Sequence, residues 1–228
     1  RDLGSVTRRE LRDPLNRREW VSKLSGGFVE PWTFGERARD WLLAHAQHFD
    51  VIHDNQTLAD GILDLQQAGL PVVTTIHHPI SRDLSVALAG ASGWRARLLV
   101  RRWHSFLTMQ TRVAAQLNHI VTVSSASAAD IATDFGVLPN AIQVIPNGVD
   151  TELFRALPDV TRKSDQLIAT ASADAPLKGL AVLLQAFKLL SVDRPALQLM
   201  LIASPKPGGD TEALISQLQL GDRIHFVG

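Results

Sequence analysis

Short apolar runs recur along the 228 residues, and longer stretches of helical period lie between them. The runs at 51–53, 72–76, 119–123, 142–145, 167–171, 198–203 and 224–227 read as strands. They are rich in Val, Ile and Leu, as strands buried on both faces of a parallel sheet are. Pro71 and Pro146 punctuate the second and fourth runs. Helical patterns fill the gaps. One covers 34–47, with Trp41, Leu42 and Leu43 on its apolar stripe, and one covers 58–68, stopped by Gly69. The longest covers 94–117. Another, 125–135, has Ser124 or Ser125 as its N-cap and ends at Gly136. Two more cover 180–190, strongly amphipathic, and 211–218. Strands alternating with helices predict an α/β fold built on parallel sheets. Residues 1–23 carry mixed charge and no confident strand pattern.

The segment 151–165 is polar, contains Pro158 and lacks periodicity, so it reads as a linker. It separates a first Rossmann-like unit, 1–150, from a second, 166–228, which has room for only three strands and two helices. That is short of a usual domain. Hydrophobic residues make up 45% of the chain, enough for packed cores. Lys+Arg and Asp+Glu balance at 23 each, which argues against a general nucleic-acid binder. Cysteine is absent, excluding disulfides and thiolate metal sites and suiting a cytoplasmic location. No apolar run reaches the roughly 18–20 residues that span a bilayer. Arg1 is not an initiator Met, so the sequence is expected to begin at an interior position.

Candidate chemistry sits where strands end, because open α/β sheets bind ligands outside the carboxyl ends of their strands. After the fourth strand comes Pro146-Asn147-Gly148-Val149-Asp150, and Asn147-Gly148 is expected to form a tight positive-φ turn. After the fifth comes Thr170-Ala171-Ser172-Ala173-Asp174-Ala175-Pro176-Leu177-Lys178-Gly179, running into a helix. A Lys beside a helix N-terminus can meet a diphosphate together with free N–H groups and the helix dipole. It can equally be a solvated helix-start residue. After the second strand come His77 and His78, which alternate faces and so are poorly placed to share a metal ion. His77 reads as a ligand-crevice residue or as a packed strand-end His. His53 and Asp54 close the first strand in the same way. Gly26-Gly27 has no convincing strand before it and is not taken as a phosphate loop.

The ordered run VTVSS…DFGV…IQVIPNGVDTELF, within residues 119–154, resembles the end of the N-terminal domain of family 4 glycosyltransferases. These are retaining enzymes of the two-domain GT-B type that use sugar nucleotides. The block 167–190 is similar to their donor-binding segment. The resemblance implies that Lys178 and Gly179 meet the donor diphosphate and that His77 approaches the transferred sugar near Asn147 and Gly148. His78 falls where the family often has an acid. The family's Gly-Arg pair falls on Ser172-Ala173, so the expected Arg is missing; the Ser172 and Thr170 hydroxyls can donate to phosphate but bring no charge. No cofactor or divalent metal is implied, since the helix end and cationic side chains take that role. The family's opening strand and glycine loop would lie before Arg1 and its paired glutamates after Gly228, so the 228-residue piece alone is expected to be inactive.

Between Leu84 and Ala129 no acidic residue occurs, while Arg95, Arg97, Arg101, Arg102 and Arg112 interleave with Trp94, Trp103 and Phe106. Basic amphipathic helices of this kind bind anionic membrane surfaces. A lipid-linked or phosphate-bearing acceptor at the inner membrane face is one reading. A solvated helix packed on the sheet is the other. The function expected is glycosyl transfer from a nucleoside diphosphate sugar to a glycan or lipid-linked acceptor with retention. The alternative is a non-catalytic binding protein on a degenerate glycosyltransferase scaffold. A nicotinamide oxidoreductase is disfavoured, because no Gly-x-Gly-x-x-Gly turn occurs.

Overall fold

The structure, a computed structural model, describes residues 6–170 and 178–227. The chain divides into two compact units, Arg1–Val149 and Asp150–Gly228.

The first unit holds a four-stranded parallel sheet of β1 (Ile52–Asn55), β2 (Val72–Thr75), β3 (Ile120–Thr122) and β4 (Ile142–Val144), side by side in chain order. Helices α1 (Pro14–Leu24) and α2 (Glu30–Ala44) precede the sheet. Helix α3 (Asp60–Gln67) joins β1 to β2 and α7 (Ser125–Phe135) joins β3 to β4. The longer crossover from β2 to β3 contains α4 (Ser81–Gly90), α5 (Gly93–Trp103) and α6 (Leu107–Ala114). Their apolar faces form one core in which Leu58, Leu65, Ile76, Val113 and Ile131 are wholly buried. Each such side chain contributes about 1.5–3 kcal/mol of transfer free energy.

Local chemistry explains the boundaries. Asp13 accepts the Leu15 N–H at 2.7 Å and Pro14 fills the first position of α1, where no donor is needed. Ser124 accepts the Ser127 N–H at 3.1 Å, and Gly136 closes α7 at φ 68°, as the pattern predicts. Helices α2 and α3 meet at two facing glycines. A Cβ on Gly61 would fall 2.1 Å from the Gly35 carbonyl oxygen, so the contact exists only because both positions lack a side chain.

Three expectations are corrected. The pattern at 94–117 is not one helix: a 3-10 turn, His104–Phe106, separates α5 from α6. This turn buries His104 and Phe106 and lets Trp103 stack on Phe28 at 5.1 Å, so aromatic packing overrides helical continuity. Residues 1–23, for which no strand is expected, hold all but the last residue of α1, and α4 occupies a stretch with no expected helix. Asn147 and Gly148 form no positive-φ turn; both are exposed in an irregular stretch that follows β4.

The second unit holds β5 (Gln166–Thr170), β6 (Gln198–Ile202) and β7 (Ile224–Phe226), parallel and in that order. Helices α8 (Leu180–Asp193) and α9 (Asp210–Gln217) complete it. Its core is smaller, built from Leu184, Phe187, Leu197, Leu199, Leu201 and Leu220. The residues between β4 and β5 form no helix or strand.

Candidate active site

The carboxyl ends of β1 and β2 are joined by a dense polar network. The buried Asp54 carboxylate accepts the N–H groups of Thr57 and Leu58, both at 3.2 Å. It thereby holds a loop in which Gln56 and Leu58 sit at positive φ, 62° and 52°, a cost that only fixed partners can sustain. From inside, the buried Gln110 on α6 donates its amide to the carbonyls of Gln56 and Thr57, at 3.3 and 3.1 Å. The Gln56 side chain then bridges to the next strand end. It accepts the His77 N–H at 2.7 Å and donates to the His78 carbonyl at 2.8 Å.

This loop fixes His77. Its Nε2 lies 2.8 Å from Asn55 Oδ1. An amide oxygen accepts only, so in the neutral ring the proton sits on Nε2 and Nδ1 keeps the lone pair. The ring is exposed and held in one tautomer, ready to accept a hydrogen bond from a hydroxyl. His78 takes a different partner, Asp83 at 3.6 Å, and His53 meets Thr75 Oγ1 at 2.8 Å. Among the described residues no group of three His, Cys, Asp or Glu is placed to hold a metal ion.

In the second unit Lys178 is exposed and has no side-chain partner among the described residues. Gly179 caps α8 at φ 67°, and its carbonyl accepts the Leu183 N–H at 3.0 Å. The left-handed cap turns the chain into a helix whose first amide groups lack intrahelical acceptors. Ser172 and Ala173 lie outside the described residues.

The basic stretch is divided by the turn at His104. Helix α5 buries no residue, and Trp94, Leu98 and Leu99 are 71%, 58% and 57% exposed. Arg95, Arg97 and Arg101 lie exposed on the same helix. Arg102 instead donates to the hydroxyls of Ser25 and Ser105, and Arg112 pairs with Asp60 at 2.6 Å. No helix of the described residues is long and apolar enough to cross a membrane.

A family model described as Glycosyltransferase Family 4 matches residues 5–153. The chain belongs to glycosyltransferase family 4. This family 4 chain is 46% identical over 216 residues to MMP alpha-(1->4)-mannosyltransferase of Mycolicibacterium hassiacum, an alignment covering 95% of the chain and 52% of that protein. It thus spans about half the length of the curated relative it matches. Among solved structures it resembles a glycosyltransferase from Rickettsia africae (TM-score 0.52, 16% identity, covering 87% of this chain and 51% of that one). It also resembles TarM (TM-score 0.52, 13% identity, covering 78% and 32%). The fold is therefore the α/β GT-B type that the sequence predicts.

Sequence reasoning selected His77 but missed the groups that hold it. Asn55 and Gln56 carried a usable signal, since they follow directly on a predicted strand. Gln110 carried none, because a glutamine within a helical pattern reads as surface.

Proposed function

We propose that the whole protein transfers a mannosyl residue from a nucleoside diphosphate sugar to an acceptor with retention of configuration. The observation that supports this most is the 46% identity to a mannosyltransferase over 95% of the chain. Lys178 and the α8 N-terminus at Gly179 take the donor diphosphate, and the Ser172 hydroxyl is assigned to the same donor. His77 takes the transferred sugar, in the neighbourhood of Asn147 and Gly148. The leaving diphosphate is stabilised by these groups and not by a divalent ion, so turnover is expected to survive EDTA.

The domain reading is part of the proposal: 1–150 serves the acceptor, 151–165 links, and 166–228 begins the donor domain. Because the chain spans about half of its relative, the 228 residues alone are expected to show no turnover. The protein works in the cytoplasm, and Arg95, Arg97 and Arg101 with Trp94, Leu98 and Leu99 bring α5 to an anionic membrane surface. Co-sedimentation with anionic but not neutral liposomes is expected; equal binding to both would remove this part.

The deciding experiment assays the longest natural chain containing this sequence against a panel of nucleoside diphosphate sugars. Released nucleoside diphosphate is measured, and the product's anomeric configuration is read by NMR. Mannosyl transfer with retention, lost in Lys178→Ala, is the expected result. An inverted product would overturn the mechanism. If no nucleoside diphosphate binds or turns over, the missing Arg at Ala173 favours the second reading, a binding protein on a degenerate scaffold.

A further inference from the structure

Within the first unit, a cavity of about 650 Å³ opens between α1, the start of α2 and the segment around the His104–Phe106 turn. Asp60 and Met109 line one side. Gln110, next to Met109, binds the loop that follows β1, so the cavity adjoins the strand-end network. Three arginines line it: Arg17, Arg18 and Arg102. None of them has a carboxylate partner among the described residues. Arg18 lies over the Trp32 ring at 3.8 Å, and Arg102 donates to the neutral hydroxyls of Ser25 (2.9 Å) and Ser105 (3.2 Å). The one acid in the lining, Asp60, is already taken by Arg112.

An independent observation points the same way. Ser22 lines the cavity and is 3% exposed, yet its Oγ has no hydrogen-bond partner among the described residues. A buried hydroxyl left unpaired is costly, and a bound acceptor removes that cost. Gly27 lets the two groups approach each other. A Cβ there would fall 2.5 Å from Arg102 Nη1 and 2.6 Å from Ser22 Oγ, so the guanidinium and the hydroxyl both pack against the bare Gly27 backbone. Phe28, Trp32 and Phe106 add an aromatic part to the lining. A fork of guanidinium donors beside a free hydroxyl matches a planar or tetrahedral oxyanion. An aromatic wall suits the C–H face of a sugar ring.

We infer that this cavity binds an anionic acceptor, a sugar carrying a carboxylate or phosphate, with Arg17, Arg102 and Ser22 holding the charge and Trp32 and Phe28 the ring. The inference rests on the reading of the chain as a glycosyltransferase whose acceptor enters by the first unit. It is tested on the full chain by calorimetry with mannose 6-phosphate, mannuronate, mannose and inorganic phosphate. The two charged sugars are expected to bind, weakening as salt rises. Mannose and inorganic phosphate are expected to bind at least about tenfold more weakly, since each lacks one half of the contact. A preference between the two charged sugars identifies which oxyanion is used. Arg17→Ala, Arg102→Gln and Gly27→Ala should each cost about tenfold in affinity, while Lys163→Ala should leave it unchanged. Arg17 is exposed on α1, so its variant keeps the fold even where a change at Gly27 does not. Mannose binding as tightly as the charged sugars, or Arg17→Ala binding unchanged, would overturn the site. Donor binding is measured separately. Neutral-acceptor transfer without anion binding sinks this site alone, whereas anion binding without any transfer sinks the glycosyltransferase reading alone.

Discussion

The two units repeat one plan, parallel strands with helices between them, yet they differ in how far side chains finish it. In the first unit the ends of β1 and β2 are stitched together by Asp54, Gln56, Gln110 and Asn55, and two glycines bring α2 against α3. In the second unit large apolar side chains stay exposed. Ile168 on β5 is 71% exposed, Val182 and Leu189 on α8 are 69% and 75% exposed, and Lys178 stands without a partner among the described residues. The same backbone scheme therefore supports two kinds of surface. One holds a histidine in a chosen tautomer. The other leaves a lysine exposed beside a helix start. Preorganisation is carried by side-chain networks, not by the strand-and-helix plan itself.

The sharpest test of this contrast uses core truncations. All five tryptophans (Trp20, Trp32, Trp41, Trp94 and Trp103) lie in the first unit, so their fluorescence reports that unit alone, while far-UV circular dichroism reports both. Phe135→Ala, at a site 2% exposed, is expected to cost about 3–5 kcal/mol and to lower the fluorescence midpoint in urea. Leu201→Ala, wholly buried in the second unit, should cost about 2–5 kcal/mol and move only the circular dichroism transition. Coincident shifts in both probes would break the comparison by showing one cooperative unit.

A smaller effect separates the glycines. Gly61→Ala forces a methyl against the Gly35 carbonyl and is expected to destabilise the first unit by about 1–3 kcal/mol, despite alanine's better helix propensity. Gly221→Ala, with open space around its Cβ, should change stability by no more than about 0.5 kcal/mol. Thermal melts of the two variants check this, and equal shifts would mean that α2 and α3 relax apart freely.

The smallest effect concerns acid. Burial pushes the Glu19 carboxyl up, but hydrogen bonds from Arg37 and Thr33 and the charges of Arg37 and Lys23 outweigh it and hold it below its ordinary value of 4.5. A depressed carboxylate contributes stability that is present above its unfolded value and lost as pH falls through its folded one. The clamp between α1 and α2 is therefore expected to weaken only below pH 4.5, by less than about 1 kcal/mol because the pair is partly exposed. Fluorescence midpoints measured down this range should fall more steeply for the parent chain than for Glu19→Gln.

Legibility followed the range of the interactions. Strand positions, the caps at Ser124 and Gly136, and the stop at Gly69 were readable because each is set by neighbours within a few residues. Helix α1 was missed although Asp13-Pro14 is a local start signal, since its mixed charge hides the apolar face. The break at His104 was not readable. Nothing within 94–117 says that Trp103 will stack on Phe28, a partner on the far side of α2 in sequence. The place of His77 after a strand was readable, while the Asn55 that its Nε2 meets is a neighbour only across the sheet.

The sequence by itself determined the α/β alternation, the family, the place of His77 after a strand and that of Lys178 before a helix, because hydrophobic period and turn chemistry are local and the ordered motifs survive in one dimension. Only the tertiary structure decided which arginines face outward and which line a cavity, which loop Gln110 holds, and that Ser22 is buried. Those facts depend on side chains brought together from distant segments, and no spacing along the chain encodes them.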